Sequence, residues 1–349
     1  MNLTVTRLDA IVGDEVIAGL LSDAAELAAM LTFEAALAAV QAEAGLIPAE
    51  AATAIAAACR DFVPDTAQLT AGMKRDGLVV PALVAALRAK LAEPHRTWLH
   101  FASTSQDVID TALVMCLKTI LTELDARLAA LIGALQRLQL AEGSVALMAQ
   151  TRMQRALPFT AHDKIETWLQ PLHRHRMRLD ELRPRLLVVQ MGGPIGVRAQ
   201  LDGKGDAVAA GLAKRLGLGS APAWHNARDG IAEFAGWLSL LSGTLGKIGQ
   251  DVALLAQNEI GAVKLAGGGT SSAMPHKSNP VVAELLVTLA RFNAGSLGTL
   301  HQSLIHENER SGAAWTLEWM ILPQMTIATG AALRHANVLI GGLHFAGRL

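Results

Sequence analysis

The sequence predicts an all-α protein built from long, closely packed helices. Of its 349 residues 51% are hydrophobic, yet only 4% are aromatic and none is tyrosine. The core must therefore consist of Leu, Ala, Val, Ile and Met, which is the composition of packed helices. Along several long segments these residues recur three and four positions apart, as on one face of a helix. No segment alternates at period two, so we expect no substantial sheet.

Two regions follow from the spacing of helix breakers and apolar stripes. Residues 1–104 are predicted to form a helical N-terminal domain of short helices, because Gly and Pro recur there. Residues 105–349 are predicted to form a central five-helix bundle domain, with helices over about 105–142, 160–190, 226–265, 280–308 and 318–349. Pro171 and Pro184 are expected to kink or end the second long helix.

The apolar stripes of the long helices leave the oligomeric state open. They comprise Leu124, Leu128, Leu131, Leu135 and Leu138, then Ile231, Phe234, Leu238, Leu241, Leu245, Ile248, Val252 and Leu255, and then Leu285, Leu289 and Phe292. Such stripes suit a monomeric five-helix bundle, and they equally suit helices pooled between subunits into a larger bundle.

Bulk properties exclude several classes of protein. The net charge of −1 argues against non-specific nucleic-acid binding, which needs a basic surface. Cys59 and Cys116 lie in apolar helical pattern, as buried thiols of a reducing compartment do. The N-terminus lacks the basic-then-apolar order of a signal peptide. No stretch has about 18 uninterrupted apolar residues, so we expect a cytoplasmic protein that contacts no membrane.

A first polar stretch, LHFASTSQDVIDTA, precedes the first long helix. Ser103, Thr104 and Ser105 stand at its start, and Thr104 with Asp107 forms a capping box. The stretch is either a well-capped helix start or an anion site, because free N–H groups, the positive end of the helix dipole and hydroxyl groups converge there.

A second polar stretch, QTRMQRALPFT, precedes the second long helix. Thr151, Arg152 and Gln154 lie just before Pro158. Taken alone, these residues are more typical of an ordinary polar loop than of a set of anion ligands.

The third stretch, GGGTSSAMPHKSNP, runs from Gly267 to Pro280. Asn279 is a suitable helix cap and Pro280 a suitable first helical residue, but these roles leave the two serines, His276 and Lys277 unexplained. A glycine-rich loop that carries Ser and Lys is suited to closing over a substrate.

This third stretch resembles the signature of the fumarase/aspartase superfamily, Gly-Ser-Ser-x-Met-Pro-x-Lys-x-Asn-Pro. The positions in register are Ser271, Ser272, Met274, Pro275, Lys277, Asn279 and Pro280, whereas Thr270 replaces the usual Gly. The other two stretches resemble the remaining conserved regions of that superfamily, in the same order, so the resemblance covers essentially the whole chain.

The resemblance implies an assembly as well as a fold. Members form D2 tetramers whose central helices make one twenty-helix bundle, with active sites built from three subunits. Because the chain ends at Leu349, within the fifth long helix, we expect the usual C-terminal domain to be absent.

Within the superfamily, the chain most resembles the bacterial branch that lactonises 3-carboxy-cis,cis-muconate in protocatechuate breakdown. The segments TSQDVIDTA, RALP, LRPRLLVVQMGG and HENERSGAAWTLEW carry this likeness. Arg152 stands where superfamily lyases usually have His, so a relative acting on 3-sulfomuconate stays an alternative, as does a C–N or C–O lyase similar to adenylosuccinate lyase. A non-catalytic helical oligomer is disfavoured, because the chain keeps Ser271, Lys277 and Asn279.

Lactonisation requires a site that holds a polyanion, stabilises growing negative charge and delivers one proton. By resemblance Ser271 is the proton-transfer residue, with His100 and His276 as alternatives. The catalytic candidates are Ser271, Lys277, Asn279 and His100. The substrate-binding candidates are Ser103, Thr104, Ser105, Thr151, Arg152, Gln154, Ser272, Met274, His276 and Arg310.

Other motifs carry weaker signals. His173 and His175 are two residues apart and point to different sides of a helix, which does not suit a shared metal ion. The run HRHRMR is predicted to be a solvated or intersubunit face. GGPIG, from Gly192 to Gly196, opens no convincing nucleotide-binding unit. We therefore expect no metal and no cofactor, and a small polycarboxylate substrate bound by a homo-oligomer.

Overall fold

The computed structural model describes residues 7–270, 273–274 and 277–347, which are mainly helical, as predicted. The early helices are α1 (Asp9–Val12), α2 (Glu15–Leu20), α3 (Asp23–Glu43), α4 (Ala49–Arg60), α5 (Thr66–Asp76) and α6 (Val80–Ala89), followed by a 3-10 turn at His95–Trp98. The later helices are α7 (Ser105–Glu142), α8 (Ala161–Leu186), α9 (Gly205–Leu216), α10 (Asp229–Leu255), α11 (Val281–Gln302) and α12 (Gly312–Gly341), with a 3-10 turn at Ala199–Leu201. Each of the five predicted long helices is therefore present.

Several helix ends differ from prediction; α12, for example, begins at Gly312 and ends at Gly341, whereas 318 and 349 were predicted. α8 runs through Pro171 without a break, and Pro184 lies in its last turn. α10 ends at Leu255, ten residues before the predicted end, and a turn segment then leads to a short strand at Val263–Leu265. α11 begins at Val281, so Pro280 takes the cap position and Asn279 lies in a strand; the predicted cap was wrong by one residue.

Short antiparallel strand pairs accompany the helices. The strands are β1 (Ala146–Thr151), β2 (Gln154–Thr160), β3 (Val263–Leu265), β4 (Gly269–Thr270), β5 (Ser278–Asn279) and β6 (Leu343–Phe345). They pair as β1–β2, β3–β6 and β4–β5. In the described part of the chain no sheet exceeds two strands, so the expectation of no substantial sheet is confirmed.

Two apolar cores hold the helices together. The larger one lies among α7, α8, α10, α11 and α12 and includes Leu124, Trp168 and Leu241. The smaller one lies among α3, α4, α6 and the start of α7, and it also takes in Leu212 of α9. α9 comes after residue 105 in the chain but packs on the early helices, so the smaller core includes residues from both sides of the predicted boundary. The domain boundary at residue 104 stays a prediction.

The predicted stripes on α7 and α10 face the larger core. Leu124, Leu128 and Leu131 are fully buried. α10 and α11 approach closely at Gly246 and Gly249, where an added Cβ would collide with Ala290 and with the carbonyl of Ala283. The glycines within α10 therefore permit close helix packing.

Helix α11 leaves part of its apolar surface exposed. Ala283, Leu286 and Leu289 are buried, but Phe292, a member of the predicted stripe, is 43% exposed. By length and composition alone, Val281–Gln302 and Glu15–Glu43 could each cross a membrane. The segment Val281–Gln302 contains Glu284, so it is not the uninterrupted apolar stretch of a clear membrane span.

Candidate active site

The first polar stretch caps α7, as the sequence predicts. Thr104 is the cap residue, and its backbone N–H donates to Asp107 Oδ2 at 3.1 Å, which confirms that half of the capping box. Ser103, Thr104 and Ser105 are half-buried. Their hydroxyl groups therefore stand at the positive end of a 38-residue helix, where an anion is favoured.

Asp107 does more than cap this helix. Its fully buried carboxylate accepts the backbone N–H groups of Gly192 at 2.7 Å and Gly193 at 2.9 Å, and it lies 2.9 Å from His225 Nε2. The N–H groups of the GGPIG segment are thus bound to an internal carboxylate. This geometry gives that segment a structural role in the described fold.

Arg310 lies beside the same helix start. Its Nε donates to Gln106 Oε1 at 2.8 Å, and its Nη2 donates to the carbonyl of Pro194 at 3.3 Å. Both acceptors are neutral, and among the described residues no carboxylate lies within ion-pair distance of this guanidinium. The Arg310 guanidinium can therefore receive an anion through its remaining N–H donors.

His100 is paired with a buried carboxylate. Its Nδ1 lies 2.6 Å from Glu34 Oε1, and Glu34 is 1% exposed. Burial alone lowers the pKa of His100, but the charge and hydrogen bond of Glu34 outweigh it, so the pKa is raised. His100 is thus stabilised as an imidazolium near the first stretch, a role that the sequence alone did not indicate.

The second stretch is a β-hairpin and not the predicted loop. β1 ends at Thr151, β2 begins at Gln154, and Arg152 and Met153 form the turn with φ values of 50° and 65°. Thr151, Arg152 and Gln154 are all exposed. Within one subunit these side chains therefore project from the hairpin tip.

Two short strands of the third stretch, β4 and β5, pair before α11. Gly269 pairs with Asn279, Lys277 and Met274 are exposed, and the Lys277 backbone N–H donates to the Met274 carbonyl at 3.0 Å. Ser271, Ser272 and His276, which carry much of the predicted chemistry, lie outside the described residues.

The described geometry brings together the first stretch, His100 and Arg310. Arg152 lies far from them. α7 is about 57 Å long at 1.5 Å per residue, and the nine residues between its C-terminal end and Arg152 span at most about 31 Å. The chain therefore cannot return to the start of α7 by Arg152. α11 runs antiparallel to α10, with Ala283 against Gly249, so the third stretch lies toward the end of α10 that is remote from His225.

A buried ion cluster lies next to the first turns of α7. Arg228 Nη1 lies 2.6 Å from Asp110 Oδ2 and Arg228 Nη2 lies 2.5 Å from Glu318 Oε1, while Trp315 Nε1 donates to Asp110 Oδ1 at 3.1 Å. Desolvation alone would lower the pKa of Arg228, yet the two carboxylates raise it. The cluster joins α7, α10 and α12 beneath the helix start.

Sequence reasoning missed several residues of this region. They are Glu34, Gln106, His225, Arg228 and Glu318, and they act through contacts between segments far apart in the chain. The run HRHRMR is exposed at five of its six residues, in accord with the predicted solvated face. The exception is His175, which is buried, bonds Thr244 Oγ1 through Nε2 at 2.8 Å, and has its pKa lowered to about 4 by burial. In the described ranges, no three His, Cys, Asp or Glu side chains are grouped to hold a metal ion.

Comparison with known proteins defines the class of this protein. The family model described as Lyase matches residues 8–293. The chain therefore belongs to this lyase family of the fumarase/aspartase superfamily, as the third stretch predicted.

The particular relatives are more specific. The chain is 41% identical over 330 residues to a 3-carboxy-cis,cis-muconate cycloisomerase of Pseudomonas aeruginosa, covering 92% of this chain and 72% of the relative. It resembles the crystal structure of the 3-carboxy-cis,cis-muconate lactonizing enzyme of Pseudomonas putida with a TM-score of 0.90 and 39% identity, covering 98% of this chain and 77% of that one. It is also 33% identical to an N-acetyl-S-(2-succino)cysteine lyase of Dickeya dadantii, covering 92% of this chain and 72% of that relative.

Proposed function

We propose that the protein is a 3-carboxy-cis,cis-muconate cycloisomerase, which forms a carboxymuconolactone during protocatechuate breakdown. The observation that carries this proposal is the identity of 39–41% to several proteins of that name over about nine-tenths of the chain. The lyase from Dickeya dadantii is less similar, at 33%.

The site chemistry supports a polycarboxylate substrate. Arg310 is anchored on neutral oxygens and lies beside the start of α7. A guanidinium in this state binds a carboxylate through two N–H donors, and the hydroxyl groups at Ser103–Ser105 add neutral donors at a helix start. The substrate carries three carboxylates, each of which needs such a partner, because an unpaired buried charge is costly.

The reaction conserves every atom of the substrate. One carboxylate oxygen forms a C–O bond to a conjugated carbon, the π bond breaks, and its electron pair moves toward the conjugated carboxylate. A proton then reaches the neighbouring carbon, and by resemblance Ser271 delivers it. Lys277 and Asn279 stabilise the charge that grows on the conjugated carboxylate.

The separation of the three stretches favours a shared site. In one subunit Arg310 and the first stretch lie apart from Arg152, and the third stretch lies toward the other end of the bundle. A site that uses all three must draw them from different subunits, in accord with the tetramer that the resemblance implies. The exposed apolar part of α11 provides surface for such an interface.

The test is an ultraviolet assay of the purified protein with 3-carboxymuconate, 3-sulfomuconate, fumarate and adenylosuccinate in parallel. We expect the diene absorbance of 3-carboxymuconate to disappear and a lactone to appear by NMR. Turnover of 3-sulfomuconate at a higher kcat/KM would move the assignment to that substrate. Turnover of adenylosuccinate alone would assign a C–N lyase and refute the proposal.

A further inference from the structure

The glycine segment Gly192–Gly196 is bound to the start of α7 by one buried dyad. Asp107 accepts three backbone N–H groups, from Thr104, Gly192 and Gly193, and its Oδ1 also lies 2.9 Å from His225 Nε2. Asp107 is fully buried and His225 is 3% exposed. A carboxylate this deeply buried needs all of these donors.

The glycines permit the segment to approach the dyad. A Cβ at Gly192 would lie 2.8 Å from His225 Cε1 and 2.8 Å from Ala223 Cβ, closer than real carbon contacts. Gly193 and Gly196 have φ values of 68° and 85°, which side chains rarely adopt. The glycine segment therefore packs directly against the His225 ring.

The segment in turn holds Arg310. Its Pro194 carbonyl accepts from Arg310 Nη2 at 3.3 Å. The second anchor, Gln106, accepts from Arg310 Nε at 2.8 Å and donates its own Nε2 to the backbone carbonyl of His225 at 2.8 Å. Both anchors of the guanidinium are thus fixed by His225, one through its ring and one through its main chain.

The hydrogen-bond pattern also defines the state of the imidazole. His225 Nδ1 is buried and has no hydrogen-bond partner in the described part of the chain. The tautomer with its proton on Nε2 donates to Asp107, whereas a second proton on Nδ1 would be a buried donor without an acceptor. The ring therefore suits the role of a fixed support between Asp107 and the glycine segment.

We propose that His225, held by Asp107, is the positioning residue that aims the Arg310 guanidinium at a substrate carboxylate. This inference rests on the proposed function, in which Arg310 binds that carboxylate. Arg310 binds the same carboxylate before and during the reaction. Loss of its alignment therefore weakens ground-state and transition-state binding equally, which raises KM and leaves kcat nearly unchanged.

The experiment compares His225→Ala with two other single variants of the same chain. We expect His225→Ala to raise KM at least about tenfold, with kcat within about threefold of wild type. His225→Gln, whose amide can donate in place of Nε2, should restore KM to within about threefold. His175→Ala, which removes an equally buried histidine bonded to Thr244, should leave KM unchanged.

A double-mutant cycle decides whether His225 acts through Arg310. If it does, His225→Ala raises KM no further in a protein that already carries Arg310→Ala. The inference would be overturned if the two substitutions raised KM additively in the double mutant. It would also be overturned if His225→Ala changed KM by less than about twofold, or if His175→Ala raised KM by as much as His225→Ala. If His225→Ala does not fold, His225→Asn, which is too short to reach Asp107, replaces it in the cycle.

Calorimetric titration with tricarballylate, an unreactive tricarboxylate, separates this inference from the proposed function. Wild-type protein that binds tricarballylate but leaves 3-carboxymuconate unchanged refutes the proposed function, and the same cycle measured on Kd still tests the role of His225. Failure of wild type to bind tricarballylate would overturn the anion site and the inference together.

Discussion

The pKa of His100 is lowered by burial and raised mainly by the buried carboxylate of Glu34, with a smaller contribution from Asp107. Because the pKa of His100 is raised above its ordinary value of 6.5, the ion pair stabilises the fold fully below that pH. This contribution is lost as the pH rises through the folded-state pKa. The N-terminal helix α3 is thereby coupled to the loop that precedes the candidate anion site.

Replacing Glu34 tests this coupling. We expect Glu34→Gln to lower the pKa of His100 measured by NMR titration, because the negative charge that offsets burial is removed. The loss of unfolding free energy should be largest below about pH 6 and should shrink at higher pH. Glu43→Gln, at the exposed end of the same helix, is the control. An unchanged His100 titration in Glu34→Gln would show that the pair does not set its charge.

Arg152 is the residue that departs from the lyases of the superfamily. It lies exposed at the tip of the β1–β2 hairpin, free to meet a ligand held by another subunit. We expect Arg152→Leu to act mainly on KM and on the ratio of kcat/KM for carboxy- and sulfomuconate, whereas Arg155→Leu on the same hairpin should not. If kcat/KM for both substrates stays within about twofold of wild type, or about 0.4 kcal/mol, Arg152 takes no part in specificity.

Among the helices, the junction of α7, α10 and α12 depends on the buried cluster around Arg228. We expect Arg228→Leu to destabilise the protein by about 3–5 kcal/mol, because it leaves Asp110 and Glu318 buried without a counter-charge. Arg185→Leu, which breaks an exposed pair with Glu233, should cost less than about 1 kcal/mol. Both are measured by denaturant unfolding at one protein concentration. Equal costs would mean that the cluster is not a stabilising junction.

The long helices could be predicted from sequence because their apolar residues recur at helical period. The β1–β2 hairpin could not, since its exposed strands lack alternation and its turn residues, Arg152 and Met153, have positive φ without the usual Asn or Gly. The cap of α11 was misplaced because Asn279 pairs with Gly269 instead. The hairpin thus lacked a local signal, whereas strand pairing overrode a good local signal at Asn279.

Local pattern predicted contacts of the candidate site only between residues that are close in sequence, and Arg310 was found through the family resemblance alone. Thr104 and Asp107 are three residues apart and were found as a capping box. The contacts of Asp107 with Gly192 and His225 join residues 85 and 118 positions apart, and no local pattern signals such contacts. The pairing of His100 with Glu34 was missed for the same reason.

At the scale of the whole molecule, the predicted tetramer leads to a test that does not require a solved complex. Exposed apolar side chains such as Phe292, Met177 and Val338 remain on α11, α8 and α12, and burial between subunits would remove them from water. Analytical ultracentrifugation should therefore give a mass near four times the 36.7 kDa of one chain. An active monomer would contradict the shared site.

Mixing two inactive variants tests whether one site draws residues from different subunits. Lys277→Ala should lower kcat steeply, since it removes charge stabilisation that grows in the transition state, and Arg310→Ala should raise KM so far that no turnover is detected at a substrate concentration near the wild-type KM. If the two residues of a site come from different subunits, unfolding and refolding a 1:1 mixture restores intact sites with neither substitution. Random assembly makes these about a quarter of all sites. We expect about that share of wild-type activity, and none from either variant refolded alone. A subunit carrying both substitutions, refolded with wild type, gives the matched control. Should the mixture of single variants stay inactive while this control is active, Lys277 and Arg310 must serve the same site from one subunit, and the shared-site assembly would be wrong.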